Sequence, residues 1–142
     1  IFYFILSHLN KKLDISQKDC PIEVLTDATK DSIQDLKNII GEFSSIDDAG
    51  PDETYLTFIL TNGSTMLAHQ GGKNLFYSTY KNKCGEKDIC PSYSDECENP
   101  TKTGFINHLI FTSEPLSGEN IWLPMSVGQI IGADNSMKLL IS

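Results

Sequence analysis

The sequence predicts an α+β domain in which two helices are layered on one face of a mostly antiparallel sheet. Apolar residues recur at helical spacing near the start of the chain, and short β-type runs separated by turn residues occupy the remainder. The chain has 142 residues, of which 39% are apolar. This size and composition suit a single domain with one core.

The chain is acidic, with a formal net charge of −8. A negative surface repels phosphate backbones and anionic lipid head groups, so we expect neither a nucleic-acid partner nor a membrane partner. No apolar run approaches the roughly 20 residues that a bilayer-spanning helix needs. Four cysteines are too few for a disulfide scaffold, and the composition indicates a cytoplasmic protein.

Helical periodicity is under way from the first residues. The apolar positions are Phe2, Ile5, Leu6, Leu9 and Leu13. Lys11 and Lys12 fall near the predicted end of the helix, where cations complement the helix dipole. Neither an initiating Met nor a capping residue precedes the helix, so we expect the chain to be a piece of a longer protein.

A second helix is predicted to begin with Thr26 or Asp27 as its cap. Its apolar stripe consists of Ile33, Leu36, Ile40 and Phe43. We interpret this stripe as a face packed on the sheet, with a partner-binding helix as the alternative. The acidic cluster 47–53 follows as a solvated loop, because it lacks the register of a calcium-binding loop.

About six strands in meander order are predicted after the acidic cluster. Seven short runs are the candidates for these strands, with Asp134-Asn135 turning the last pair: 55–60, 65–68, 75–80, 105–112, 121–123, 129–132 and 137–141. Asn62-Gly63 predicts a hairpin with a positive-φ turn, so we interpret Asn62 as a turn residue and not as a catalytic donor.

The run Phe105–Thr112 is almost continuously apolar, which predicts a strand covered on both faces. Double coverage requires a further layer beyond the predicted helices and sheet. We expect a second sheet with its own helices to be supplied by residues upstream of Ile1, completing a four-layer sandwich.

No complete set of nucleophile, base and orienting residue is found, so no catalytic residue is assigned. Cys84, Cys90 and Cys97 lie in one hydrophilic loop and are the candidates for a metal or redox site. Their intervals are wider than the Cys-x2-4-Cys spacing of structural zinc, and a fourth ligand would have to be Cys20, His69 or His108. The alternative interpretation is a surface loop with one incidental thiol pair or none.

Other polar residues are interpreted as structural. The histidines are isolated in sequence: His8, His69 and His108. His108 is predicted to be a hydrogen-bonded core or interface residue. Gly71-Gly72 lacks the helix and the Lys-Ser/Thr pair of a phosphate-binding loop. Glu114 is predicted to be a strand-terminal carboxylate that accepts backbone N–H bonds.

Three segments carry a family resemblance: Leu60–Gly72, Leu75–Tyr80 and Thr112–Asp134. The last contains a Ser-Glu-Pro-Leu turn, the only tryptophan (Trp122), and Gly128-Gln129 before a closing strand. Together the segments resemble the later half of a class II glutamine amidotransferase domain of the stand-alone type. The order of the two helices also fits that family, so the resemblance covers nearly the whole chain.

The resemblance implies a four-layer αββα sandwich of the N-terminal-nucleophile hydrolases, with residues 1–142 as the C-terminal portion of a single domain. In that family an amino-terminal cysteine attacks the side-chain amide of glutamine. Its own α-amine, with an ordinary pKa of about 7.7–8.0, is the base.

The catalytic residues of the family come from the earlier half of the domain. There an arginine and an aspartate hold the substrate, and an Asn-Gly pair stabilises the oxyanion. Residue 1 of this chain is Ile, and Cys20 falls in a linker. Asn62-Gly63 lies in the later half and takes no such role, so no family catalytic residue maps onto this chain.

The resemblance therefore implies an enzymatic parent protein that cleaves glutamine or a related γ-glutamyl amide without a cofactor, and a chain that is inactive alone. Its partners would be this small-molecule substrate and a synthase or a second copy. A non-catalytic scaffold or partner-binding domain with the same sandwich is the alternative. A metal-binding module built on the three loop cysteines is a third.

Overall fold

A computed structural model describes residues 1–142 as two helices and two antiparallel sheets. The α+β class is therefore confirmed. The helices are α1 (Phe2–Lys12) and α2 (Ile22–Ile40), and a short 3-10 helix covers Asp95–Cys97. The strands are β1 (Phe58–Thr61), β2 (Met66–His69), β3 (Phe76–Ser78), β4 (Ile110–Thr112), β5 (Leu123–Pro124), β6 (Ile130–Ala133) and β7 (Leu139–Ile141).

Helix α1 is docked as predicted, except that Phe2, which was predicted as part of its apolar face, is 56% exposed. Ile5 and Leu9 are buried and form a cluster with Ala28 of α2, and partly buried residues of β1 pack against that cluster. Lys11 and Lys12 occupy its last turn. The helical spacing of apolar residues was sufficient to predict this helix, because one of its faces packs on one continuous apolar surface.

Helix α2 begins earlier than predicted. Pro21 is its N-cap and Ile22 its first residue, so the expectation of a cap at Thr26 or Asp27 is wrong. Ile22 is fully buried in the main core, and proline, which lacks an N–H, is tolerated at a helix start. Thr26 instead lies inside the helix, where its buried Oγ1 has no hydrogen-bond partner.

The stripe of α2 is confirmed in its first half only. Ile33 and Leu36 are buried in the main core, whereas Ile40 is 50% exposed. Gly41, at φ +94, ends the helix. Phe43 therefore lies beyond the helix and reaches the same core from the following loop.

The sheet topology differs from a single meander. The four-stranded sheet has the order β1-β2-β6-β7, and the three-stranded sheet has the order β4-β3-β5. Strand β2 pairs with β6, so the chain leaves the first sheet after β2, forms the second sheet, and returns. Both sheets belong to this chain, which corrects the expectation that a second sheet lies wholly upstream.

Three layers result from this topology. Leu67 and Ile130 pack towards the helices, in a core with Ile22, Ile33, Leu36 and Leu56. Their sequence neighbours Ala68 and Ile131 form a second cluster, against which Tyr77 of β3 and Phe111 of β4 pack. Because adjacent residues of a strand point to opposite faces, the four-stranded sheet lies between the helices and the three-stranded sheet.

The prediction for Phe105–Thr112 is largely wrong. Only Ile110–Thr112 forms a strand, Phe105 is 49% exposed, and Ile106 is the one buried residue of the run. Phe105 makes a single isolated bridge with Lys138. An apolar run alone does not specify a doubly covered strand: even within β4, Ile110 is 38% exposed and no residue is buried.

The two predicted turns are confirmed. Thr61 pairs with Met66 around a loop in which Gly63 has φ +88, and Asn62 Oδ1 accepts backbone N–H bonds at 2.8 and 3.0 Å. Asp134 Oδ1 likewise accepts the N–H of Ser136 at 2.9 Å in the turn between β6 and β7.

Neither helix is long and apolar enough to cross a membrane.

Candidate functional site

Two of the segments that carry the family resemblance meet at the ends of β2 and β6. The Gln70 N–H donates to Gln129 O at 3.0 Å, and the Gly128 N–H donates to Gln70 O at 2.7 Å. These bonds extend the ladder between the two strands. We call His69–Lys73 together with Gly128-Gln129 the strand-end junction.

Gln70 is the centre of the strand-end junction and has no exposed surface. Its Nε2 donates to the backbone oxygen of Asp47 at 3.3 Å and to Asp47 Oδ1 at 3.4 Å. Its Oε1 accepts the Gly72 N–H at 2.9 Å. The side-chain amide is satisfied within the protein, so it fastens the acidic loop to the sheet.

His69 is buried beside Gln70. Its Nδ1 lies 2.7 Å from Leu56 O, and its ring centroid lies 5.4 Å from that of Phe58. Since a carbonyl oxygen only accepts, Nδ1 carries the hydrogen. Burial lowers the pKa of the imidazole, and the bond to Leu56 opposes that shift. The group is a neutral structural histidine.

Gly71 packs directly on the preceding loop. A Cβ at this position would lie 2.1 Å from Leu56 O. Thr57 Oγ1 accepts the N–H groups of Gly71 and Lys73, both at 3.0 Å. Because these donors are already bonded, they are not presented to a phosphate, in agreement with the interpretation of Gly71-Gly72 as a structural turn.

The acidic loop is exposed but anchored. Lys73 Nζ contacts Asp48 Oδ1 at 2.9 Å and also bonds the backbone oxygen of Ala49. Glu53 Oε2 accepts the Gly50 N–H at 2.7 Å. The carboxylates are therefore used separately, and they form no group that could hold a metal ion.

The loop cysteines are not brought together as a ligand set. Cys84 and Cys97 are buried, Cys90 is partly exposed, and all are free thiols. No group of three or more His, Cys, Asp or Glu side chains could hold a metal ion. Cys97 Sγ instead accepts a hydrogen bond from Asn107 Nδ2 at 3.0 Å. The candidate metal site at Cys84, Cys90 and Cys97 is thus not assembled.

Glu98 organises this cysteine-containing loop and was not identified from the sequence. Its Oε1 accepts the Cys84 N–H at 2.8 Å, and its Oε2 accepts from Lys87 Nζ at 3.1 Å and Tyr93 Oη at 3.0 Å. These three donors, Cys84 first, lower the pKa of Glu98 to about 2. The sequence of this loop has neither helical nor strand periodicity. The position of Glu98 directly after Cys97 is the one sequence feature that could have pointed to it.

Two other histidines occupy separate places. His8 Nε2 lies 3.2 Å from Asp35 Oδ2, which links α1 to α2. This pair was missed because its members belong to different helices. His108 has a buried Nε2 without a hydrogen-bond partner, so the expected hydrogen-bonded role is wrong at that atom. Burial, followed by the charge of Lys81, lowers the pKa of His108.

The Ser-Glu-Pro-Leu turn is held by neighbours other than the predicted carboxylate. Thr112 Oγ1 donates to Glu114 O at 2.7 Å, and Trp122 Nε1 donates to Leu116 O at 2.9 Å. Glu114 itself is exposed and its carboxylate accepts no backbone N–H. The local hydroxyl replaces the expected carboxylate because it is already within reach of the turn.

Ser7 Oγ lies 3.5 Å from His8 Nδ1, but each of these atoms is closer to Phe4 O, at 2.8 and 3.0 Å, so the pair is engaged by the backbone of α1. The polar groups of the strand-end junction are engaged with each other, which suits a rigid support and not a reacting centre. No family model, curated protein or solved structure matches this chain.

Proposed function

We propose that this chain is the C-terminal portion of a class II glutamine amidotransferase domain, of the N-terminal-nucleophile type. The parent enzyme hydrolyses the side-chain amide of glutamine or a related γ-glutamyl amide. One observation carries this proposal: segments that resemble the family, 60–72 and 112–134, adjoin through the bonds between Gln70 and Gly128-Gln129. If both segments belong to one family motif, they are expected to lie next to each other in the fold, as they do here.

The layer order also supports the proposal. Helices, a four-stranded sheet and a three-stranded sheet follow one another, which corresponds to three layers of an αββα sandwich. A further helical layer and additional strands from preceding chain would complete it. The three-stranded sheet has short strands, of two and three residues, and offers its edges β4 and β5 for such an extension.

In the proposed mechanism the reacting groups lie on the preceding chain. The amino-terminal thiol attacks the amide carbon of glutamine, and its α-amine takes and returns the proton. Ammonia leaves, and water then cleaves the thioester. Donors in the same portion stabilise the oxyanion. No cofactor is required, because thiol, amine and water supply every step.

The present chain contributes rigidity in this proposal. Gln70 and Thr57 fasten the loops at the end of the central strands, and the buried pair Leu67 and Ile130 fixes the sheet on α2. A wall of this kind holds catalytic groups in their productive geometry. A cytoplasmic location, and a synthase or a second copy of the chain as partner, belong to the same proposal.

The test uses the full-length gene product. We expect an initiating Met followed directly by Cys, and release of ammonia from glutamine but not from asparagine. Replacement of that first Cys by Ala should abolish release while leaving the fold intact, as judged by circular dichroism. A product without an amino-terminal Cys, or without glutamine hydrolysis, would favour the non-catalytic scaffold with the same sandwich.

A further inference from the structure

We propose that Asn62 is a site of spontaneous deamidation, driven by attack of the Gly63 backbone nitrogen on the Asn62 side chain. The inference does not depend on the proposed function. Asn62-Gly63 is the only Asn-Gly pair in the chain. It lies at the tip of the hairpin between β1 and β2, where both residues are exposed.

The surface around Gly63 is open. Gly63 has no side chain and, its two chain neighbours aside, no heavy atom lies within 4 Å of the place where a Cβ would stand. Its φ of +88 is a conformation that glycine adopts without strain. The surrounding space is open to water, which the second step of the reaction consumes.

The amide carbon is polarised by two backbone donors. Asn62 Oδ1 accepts the N–H of Ser64 at 3.0 Å and that of Thr65 at 2.8 Å. These distances match the roughly 2.7–3.1 Å expected for donors that stabilise a tetrahedral oxyanion. The hairpin therefore stabilises the charge that develops on Oδ1 during the attack.

The proton and the leaving group also have defined neighbours. The Gly63 N–H, whose proton must leave, already donates to Thr61 Oγ1 at 3.1 Å. Asn62 Nδ2, which leaves as ammonia, donates to Gln17 O at 3.4 Å on the exposed side of the loop. Thr61 is thus positioned as a relay: its Oγ1 takes the backbone proton while its own hydroxyl proton passes to hydroxide from the alkaline solvent.

The reaction balances without an oxidant or reductant. The Gly63 N–Cγ bond forms, the Cγ–Nδ2 bond breaks, and the amide leaves as ammonia with a proton that balances the one lost from the backbone. Water then opens the resulting succinimide at either carbonyl. The products are Asp or a β-linked isoaspartyl residue at position 62, each with one more negative charge than Asn.

The products alter the contact between the hairpin and the connection from α1 to α2. A carboxylate at position 62 has no hydrogen to donate to Gln17 O, so that bond is lost. In the isoaspartyl product the backbone also gains a methylene, which disturbs the register of Thr61 opposite Met66. Deamidation should therefore loosen the hairpin as the protein ages.

The experiment ages the purified protein in mildly alkaline buffer without glutamine, then applies trypsin digestion and liquid chromatography with mass spectrometry. The peptide Asn38–Lys73 contains both Asn38 and Asn62. We expect the amide-to-acid mass gain at Asn62 first, as two chromatographic products. Since the readout is peptide mass, it is independent of any glutamine hydrolysis.

Two variants separate the roles of the neighbours. Thr61→Val keeps the β-branched shape and removes the acceptor, and should slow deamidation by about tenfold, which is less than a strong general base contributes. Ser64→Ala keeps the backbone N–H and should leave the rate unchanged. The same measurement in urea gives the rate of the unfolded chain, which we expect not to exceed that of the folded protein.

Either of two results would overturn the proposal. One is an intact Asn62 in the folded protein under conditions in which the unfolded chain deamidates, because the hairpin would then be protective. The other is earlier modification of a different asparagine, such as Asn38 or Asn135.

Discussion

Trp122 and Leu116 are joined by a hydrogen bond from the indole Nε1–H to the backbone oxygen, at 2.9 Å. The bond connects the Ser-Glu-Pro-Leu turn with the residue just before β5. The only tryptophan of the chain therefore fixes the loop that precedes an edge strand of the three-stranded sheet.

Replacing Trp122 by Phe should lower the free energy of unfolding by about 1 kcal/mol, because the aromatic ring remains and one hydrogen bond is lost. Urea unfolding followed by circular dichroism measures the change. Leu116→Ala is the matched control, since Leu116 is 64% exposed and its backbone oxygen is retained. Equal loss in both variants would contradict a role for the indole N–H.

Replacing Gly71 by Ala should destabilise the strand-end junction, because a Cβ would lie 2.1 Å from Leu56 O. Backbone must move to relieve such an overlap, and we expect a loss of about 3 kcal/mol. Gly50→Ala is the control, because its Cβ would lie 3.6 Å from the nearest atom. A thermal unfolding midpoint that is the same for both variants would refute the steric account.

Replacing Leu67 by Ala should cost about 2–5 kcal/mol, because its side chain is fully buried between the sheet and α2. Ile59, on the neighbouring strand, is 46% exposed, and Ile59→Ala should cost far less, about 0.5 kcal/mol. Denaturant midpoints of the two variants test whether Leu67 lies on the face of the sheet that packs against the helices. A larger loss of stability in Ile59→Ala than in Leu67→Ala would contradict that placement.

Glu98 should make stability depend on acid pH. Its pKa is about 2 in the folded protein, below the ordinary glutamate value, because Cys84, Lys87 and Tyr93 donate to the carboxylate. A depressed folded pKa stabilises the protein above the ordinary value, and this stabilisation is lost as pH falls towards 2. Stability measured across that range should therefore decline.

Glu98→Gln removes the titrating group, so the difference between the parent protein and this variant should shrink as pH falls. Glu86→Gln is the control, because Glu86 is exposed in the same loop and its carboxylate makes no hydrogen bond. A constant difference between Glu98→Gln and the parent protein at all pH values would be inconsistent with the assigned carboxylate network.

Local patterns succeeded where a residue's neighbours in sequence are also its neighbours in space. Helix α1 followed from the spacing of Ile5 and Leu9, and the hairpin followed from Asn62-Gly63. The start of α2 was missed because Ile22 is held by burial against the sheet. The residues that cap a helix do not depend on such a contact with the sheet, so the capping pattern could not indicate it.

The interior polar sites were harder to identify. Gln70 donates a hydrogen bond to Asp47. Glu98 accepts hydrogen bonds from Cys84, Lys87 and Tyr93. In neither case do the partners follow a regular spacing in the sequence. The prediction of a doubly covered strand at Phe105–Thr112 was wrong for a related reason. Apolar content sets the tendency to be buried, but whether both faces of a strand are covered depends on the layers that the rest of the fold places there.

The sequence by itself determined the α+β class, the first helix, the two turns at Asn62 and Asp134, and the negative charge. Each of these depends on residues within a few positions of one another. Only the tertiary structure decided the pairing of β2 with β6, the order of the three layers, and which polar atoms are satisfied. Those features depend on contacts between distant residues, because burial is a property of the assembled core.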